Sequence, residues 1–550
     1  MFKKSLSLLL VLMMVIGSLA GCSSPAEETA PATDDSTEAP AEDTSSEAPA
    51  EDTMSDVEQV LYWNVGSEPK TIDPGLNGAN DGGNVINNMF EGLMREVDGQ
   101  IQPGIAESYT VSDDQLVYTF TIRDAKWSDG QAITANDFEY SWNRVLDPET
   151  ASEYAWIFDE ANVDSFKAID EKTFEVTLKA PTPYFLGLTA FYTFFPVRQE
   201  AVEAGADGAW AVDPAKSIVN GPFMLEDYRN GDRLVLVKNP NYWRADQVKL
   251  DRIEGLMIVD QATALTGYES GQIHVIDDMP SAEIPRLLAE DPTFMIMPQD
   301  GVYYYALNTQ VEPMDDAKVR RALMLAIDRT AIVETVTKGG QIPATTMVSQ
   351  ASRDANGNVF AIEAGDYGIP VDGSGVEEAK ALLAEAGYPD GEGFPELEIM
   401  YNTSEGHKAI AEAIQEMWKQ NLNINVTLTN QEWAVFQDTR KQGNFQIARS
   451  GWIGDYSDPM TYLGMFVTGS PNNYSRWENS EYDTLLEEAK TQEPQQRFET
   501  LYKAHDLVME GSAYMPIYYY TDPIMVSQAV ADWEKTSRNT WFFGFAEIVE

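Results

Sequence analysis

Metal, nucleophile and phosphate chemistry are all poorly served by this sequence. The three histidines, His274, His407 and His505, never stand three or four positions apart. That spacing would be needed to put two imidazoles on one helical face, so a histidine-rich zinc or iron site is not expected. Cys22 is the only cysteine, which excludes an intramolecular disulfide and a thiolate metal site. No G-x-x-x-x-G-K-S/T loop and no G-x-G-x-x-G after a strand occurs, so nucleotide binding has no support. Carboxylates dominate: 89 Asp and Glu face 37 Lys and Arg, a net charge of −52 over 550 residues. Such a charge repels phosphate backbones and excludes a nucleic-acid partner. Carboxylate-only calcium sites stay open. So does an exported hydrolase, although carboxylate pairs arise by chance at this density.

A second set of residues suits ligand binding. Gly451, Trp452, Ile453 and Gly454 lead directly into Asp455. Arg440, Arg449 and His407 lie near in sequence, with Trp433 and Trp452 as flat aromatic surfaces. Tyr154 stands earlier, and tyrosine triplets occur at 303–305 and 518–520. On a strand alternate side chains point to opposite faces, so at most two of each triplet can face one site. Spacing alone leaves plainer roles open: a surface turn for Asp455, core packing for the tryptophans, hinge packing for the tyrosines. The arginines could equally form structural salt bridges, and His407 could cap a helix beginning at Lys408.

The elements that would carry these groups alternate irregularly between strand and helix. Residues 60–65, 116–122, 173–178 and 233–237 read as strands. Thr134, with Asp137 three residues on, caps a helix whose Phe138, Trp142 and Val145 share one side. Residues 317–327 and 376–386 are helical, the second stopping at Gly387 and Pro389. Residues 395–400, 408–421 and 424–428 form a strand–helix–strand unit, which favours α/β architecture with some parallel pairing.

The amino terminus gives an address. Lys3 and Lys4 precede an apolar run over 6–16, too short to span a bilayer comfortably. Leu19-Ala20-Gly21-Cys22 resembles the lipobox of bacterial lipoproteins. The resemblance implies cleavage before Cys22 and acylation of that residue, with durable anchoring from two or three acyl chains. Residues 23–56 hold Ser, Thr, Pro, Ala and acidic residues, no basic residue, and one heptamer twice, at 38–44 and 47–53. Such a segment cannot bury enough surface to fold and reads as an extended acidic tether.

Several blocks from about residue 59 onward occur together in one family. They are Glu68-Pro69-Lys70-Thr71-Ile72-Asp73-Pro74, Met89-Phe90-Glu91-Gly92-Leu93, Pro103-Gly104-Ile105-Ala106-Glu107-Ser108-Tyr109 and Lys126-Trp127-Ser128-Asp129-Gly130. Asn220-Gly221-Pro222-Phe223, Lys238-Asn239-Pro240-Asn241-Tyr242-Trp243 and Val319-Arg320-Arg321-Ala322-Leu323 with Ile327-Asp328-Arg329 follow. The chain resembles the extracellular solute-binding proteins of the peptide, opine and nickel class, family 5. Its carboxy-terminal half, with Tyr401-Asn402-Thr403-Ser404, Asn430-Gln431-Glu432-Trp433 and Gly451 to Tyr456, is similar to their oligopeptide-binding branch.

The resemblance implies a two-lobed, type II periplasmic-binding-protein-like α/β fold, hinge-connected, with an extra inserted domain. Mapped here, domain I would comprise 57–90, 213–303 and 522–550, domain II 91–212, and domain III 304–521. It also implies a non-enzymatic, monomeric receptor without a cofactor, anchored on the outer face of a single-membrane bacterium's cell membrane. The receptor would bind short peptides in a closing cleft and deliver them to an ABC permease and its ATPase subunits. By resemblance Asp455 pairs with the peptide α-amine, and Gly451, Trp452, Ile453 and Gly454 supply backbone bonds. Trp433 and Trp452 would wall the pocket. Arg440, Arg449 and His407 would meet the carboxylate or flanking side chains, and Tyr154, Tyr304 and Tyr520 would touch ligand. The chain departs from the pattern at Ala306 and near Gly78, where acidic residues are expected, and near Thr337, where a lysine is expected; these changes bear on peptide length and side-chain charge. An oligosaccharide or another solute is the alternative cargo within the family.

Overall fold

The computed structural model describes residues 57–97, 100–205 and 208–549. The signal segment, Cys22 and the tether lie outside the described residues. Two sheets organise the rest. A mixed sheet of eleven strands runs, edge to edge, Val426–Gln431, Leu397–Asn402, Ile447–Ile453, Phe294–Leu307, Tyr514–Val526, Val275–Ile276, Val60–Asn64, Arg252–Leu256, Arg233–Lys238 and Phe223–Arg229, with Ile342–Pro343 beside Tyr514–Val526. An antiparallel sheet of four strands orders Ala106–Val111, Val117–Ile122, Thr173–Leu178 and Val163–Asp170.

The expected parallel pairing is present. Leu397–Asn402 runs parallel to both of its neighbours, with the helix Glu405–Leu422 as the crossover to Val426–Gln431. Ile410, Ala411, Ile414 and Trp418 recur at helical spacing and are buried. That helix starts earlier than the sequence suggested. Ser404 is its cap, accepting from the backbone N–H of His407, so His407 lies inside the first turn. The capping box at Thr134 and Asp137 forms as expected. Trp142, on the same helix, meets Phe158, Phe166, Phe174 and Phe194 edge-on at 5.0–5.3 Å, which ties the helix to the four-stranded sheet.

Phe294–Leu307 and Tyr514–Val526 pair with each other in two stretches. Phe294 to Pro298 lies against Met525 to Thr521; Val302 to Ala306 lies against Tyr519 to Tyr514. Between them the register breaks at Gln299, Asp300 and Gly301.

The sequence blocks that carry the family resemblance interlock. Asp73 is fully buried and takes a bidentate pair from Arg144 at 2.9 and 2.7 Å, plus the Trp210 indole N–H at 2.9 Å. Asn220 clasps the Glu91 backbone, accepting its N–H at 3.0 Å and donating to its carbonyl at 2.8 Å. The Glu91 carboxylate accepts from the Trp243 indole at 2.5 Å. Arg329, fully buried, donates to the carbonyls of Pro516, Met324 and Ile327. Polar groups of these blocks are thus met by distant segments, as low-dielectric interiors require.

Arg144→Met strands the Asp73 carboxylate and is expected to cost about 3–5 kcal/mol, because a buried charge loses its only cation. Urea titration measures it; the Asp73→Asn/Arg144→Met double variant should recover part of the loss.

Candidate functional site

The break in the two long strands opens onto a cavity of about 350 Å³ that is partly open to solvent. Gln299 and Tyr520 line it from the break itself. Arg449, Gly451, Trp452, Ile453 and Asp455 line it from the strand Ile447–Ile453 and its exit. Trp433 and Arg440 come from the helix Trp433–Gln442, Tyr154 from the segment after the helix Ala135–Leu146.

Ile447–Ile453 has one edge paired throughout with Phe294–Leu307, from Leu307 opposite Ile447 to Gly301 opposite Ile453. Its other edge pairs with Leu397–Asn402 only at Ile447 and Ala448. From Arg449 on, that edge borders the cavity. A free strand edge presents alternating N–H and C=O groups that an extended chain can pair with. A side chain at Gly451 would collide with the Tyr520 hydroxyl, so glycine keeps this edge open.

Gly454 and Asp455 follow at the strand's end. The Gly454 N–H donates to the Asp300 carbonyl at 2.9 Å. Asp300 is itself buried, its carboxylate accepting from the Tyr462 hydroxyl at 2.5 Å and from Ser349. The Asp455 N–H donates to Thr461 Oγ1 at 2.9 Å. The loop is therefore held at both residues, which removes Gly454-Asp455 from the class of free surface turns. Asp455 Oδ2 is shielded from solvent and has no hydrogen-bond partner. Burial pushes this carboxyl well above the usual carboxylate range, opposed more weakly by Arg538 and Tyr154.

The cations are held without acids. Arg440 donates through Nη1 to Ser450 Oγ at 2.7 Å and lies 4.0 Å over the Tyr474 ring, while its Nε has no partner. Arg449 donates to the Tyr520 hydroxyl at 2.9 Å and sits 4.9 Å over Tyr303; its Nε is likewise unpartnered. Among the described residues neither forms a salt bridge, so the structural-pair role does not apply to them. Two planar forks facing a wet cavity fit a carboxylate.

Trp452 both lines the cavity and packs, parallel to Tyr154 at 6.4 Å and beside Trp156. Trp433 is half-buried at the cavity wall and stacks with Phe436 at 6.1 Å. Two expected contact residues do not reach the cavity. Tyr304 is fully buried behind the wall, edge-on to Tyr514 at 5.9 Å and beside Ser450 and Arg440, which stand between it and the cavity space. His407 stands behind the wall, its Nδ1 3.3 Å from the Tyr303 hydroxyl, and burial holds it neutral, well below the ordinary imidazole range. Gly454 lines an adjoining recess with Asp455, Arg538 and Asn539. Sequence reasoning missed Asp81, Tyr192, Gln437, Lys441, Asn472 and Tyr474, all at the wall. None of these carries a local motif; only the fold gathers them.

The chain belongs to the bacterial extracellular solute-binding proteins of family 5. The model described as "Bacterial extracellular solute-binding proteins, family 5 Middle" matches residues 100–474. The oligopeptide-binding protein OppA of Bacillus subtilis is 36% identical over 481 residues, 84% of this chain and 87% of that protein. A structure of the Escherichia coli murein tripeptide binding protein MppA superposes with a TM-score of 0.83 at 33% identity, covering 90% of this chain and 99% of that one. The fold is thus the two-lobed type II arrangement. The unliganded open form of MppA superposes at only 0.61, with 33% identity and coverage of 90% and 98%. The lobes of this chain therefore stand in a more closed arrangement than that open form.

Ion pairs between distant segments accompany closure. Lys70 lies 3.1 Å from Glu153 and 3.1 Å from Asp438, and Lys441 pairs with the other Glu153 oxygen. Although burial opposes it, Lys441 and Lys70 hold the Glu153 carboxyl below its usual range. Its contribution is present above the unfolded value of 4.5 and is lost as pH falls through the lower folded one. Glu153→Gln is expected to move the unliganded chain toward open forms by a factor of a few, since exposed pairs are worth about 0.2–1 kcal/mol each. The radius of gyration from small-angle X-ray scattering reads this; an unchanged radius would show that the pairs do not hold the lobes.

Proposed function

We propose that this chain is a membrane-anchored extracellular receptor that binds short peptides in the cleft and passes them to an ABC importer. One observation carries the reading: the buried Asp455 carboxyl, one of its oxygens unpartnered, shares a cavity with a free strand edge and two arginines that pair with no acid among the described residues. A zwitterionic, extended peptide complements all three. Its α-amine would meet Asp455, its backbone would pair with the Arg449 to Ile453 edge, and its carboxylate would reach Arg440 or Arg449. Charge-assisted bonds of this kind are about twice as strong as neutral ones. Gly451, Trp452, Ile453, Gly454, Trp433, Tyr154 and Tyr520 are the remaining proposed contacts, and His407 acts through Tyr303 and Arg449. Amide side chains at Asn402, Gln437 and Asn472 suit water-bridged, sequence-tolerant contacts with varied ligand side chains. The names of the two relatives, oligopeptide-binding and murein tripeptide binding, support peptide as the cargo class.

Binding follows hinge closure. Ligand contacts made by both lobes favour the closed form, which then docks on the permease. Domains I, II and III are proposed at the boundaries given above, with the Gln299 to Gly301 break and Tyr520 at the crossovers. Lipid on Cys22 would hold the receptor, a monomer, at the outer face of the cell membrane. No step of this mechanism changes a covalent bond of the peptide.

Mass spectrometry of molecules released from the purified protein by denaturation tests the reading. Native protein should carry a mixture of short peptides, strongly depleted in Asp455→Ala. Peptides equally abundant in both would remove Asp455 from its role, and heat only from oligosaccharides in titration calorimetry would overturn peptide as the cargo.

Binding should also release protons. Asp455 titrates above its usual range when empty, and an ammonium partner returns it to the ionised form. Affinity should therefore fall with decreasing pH, by up to about tenfold per unit below the empty-site pKa. Calorimetry in two buffers of different ionisation enthalpy counts the protons; zero release would show that Asp455 does not change its charge on binding.

A further inference from the structure

Asp81 stands at the cavity wall on the first turn of the helix Asn80–Met89. Both of its carboxylate oxygens are shielded from solvent, and neither has a hydrogen-bond partner. A carboxylate in the first turn usually caps the helix or faces water. Asp81 does neither: the cap position is Ala79, without a side-chain bond, and the backbone N–H groups near Asp81 do not reach bonding geometry. Burial therefore dominates at this carboxyl, and the nearby Gly82 amide and Trp433 indole offset it only in part.

Its surroundings are those of a cation site. Trp433, brought from a distant segment, lines the same wall, and its indole N–H favours the ionised form of Asp81. Tyr192 lines the cavity with Asp81 and Asp455; burial first, and then the charges of these two carboxylates, push its hydroxyl up. The cavity's cations, Arg440, Lys441 and Arg449, make no ion pair with Asp81. A carboxylate beside a flat indole matches a lysine or arginine side chain: the stem lies on the ring and the head reaches the acid. The net charge of −52 would also concentrate cationic ligands near the cleft. Burial raises the Asp81 carboxyl to about 6, so it is poised to ionise when a cation arrives.

We infer that Asp81 is a second, specificity-determining anion of this site, which selects peptides bearing a lysine or arginine side chain while Asp455 holds the α-amine. The inference rests on the peptide reading proposed above and adds a preference to it. Arginine has the planar fork for a bidentate contact, and lysine the flexible stem; both present the charge Asp81 lacks.

Titration calorimetry on the full chain tests it with Ala-Ala-Ala, the three tripeptides that carry one lysine, and their norleucine counterparts. At one position lysine should bind about tenfold or more tighter than norleucine, as a buried charge-assisted bond implies. Asp81→Asn should reduce that ratio to near one and leave Ala-Ala-Ala within about threefold; Asp455→Asn should weaken every peptide. Asp81→Glu should retain part of the preference. A lysine preference that survives Asp81→Asn, or no preference at any position, overturns the role of Asp81 and leaves peptide binding intact. Equal weakening of all peptides by Asp81→Asn makes it an amine anchor and also overturns the inference. Failure of every peptide to bind the native chain overturns both readings together.

Discussion

The break between two paired strands shapes everything near the cleft. Phe294–Leu307 and Tyr514–Val526 hold each other along both flanks but part at Gln299, Asp300 and Gly301. That gap turns Gln299 and Tyr520 into the cavity and drops Asp300 beneath Gly454. Asp300 then fixes the loop that presents Asp455. A continuous ladder would bury those groups in pairing and leave no cavity between the halves of the large sheet. Bulges and register breaks recur beside binding sites because they re-aim side chains without ending the strand.

The closed cavity holds charges the protein does not neutralise. Asp455 and Asp81 lack partners, and Arg440 and Arg449 lack acids. Each unpaired, desolvated charge raises the free energy of the empty closed form. On the proposed reading a zwitterionic ligand would supply the missing partners, so closure and occupancy would be favoured together. This is the differential affinity that a population shift requires. The Lys70–Glu153–Lys441 contacts at the cavity rim act on the same equilibrium, with smaller and more screened energies.

Most blocks of the family pattern serve the scaffold. Asp73 with Arg144 and Trp210, Asn220 with Glu91, and Arg329 with three carbonyls are polar clasps between segments far apart in sequence. Their chemistry invites a functional reading, but their partners are internal. The block around residue 451 differs because its polar groups face a cavity.

Local signals made much of this legible. The capping box at Thr134 and the strand–helix–strand unit expected over 395–400, 408–421 and 424–428 need only short-range signals, and both form. The helix start was misjudged because Ser404, not His407, makes the cap. Tyr304 could not be assigned from its triplet: alternation says that one tyrosine faces away from its neighbours, but only packing against Tyr514 decides which. Sequence alone determined the family, the α/β class and the run leading to Asp455, since these depend on local order and residue type. Tertiary structure alone decided which charges go unpaired, because satisfaction of a buried group depends on every segment folded against it. Asp81 shows the difference: an unremarkable acid in a helix's first turn becomes a candidate only because the fold sets it in one cavity wall with Trp433, hundreds of residues away.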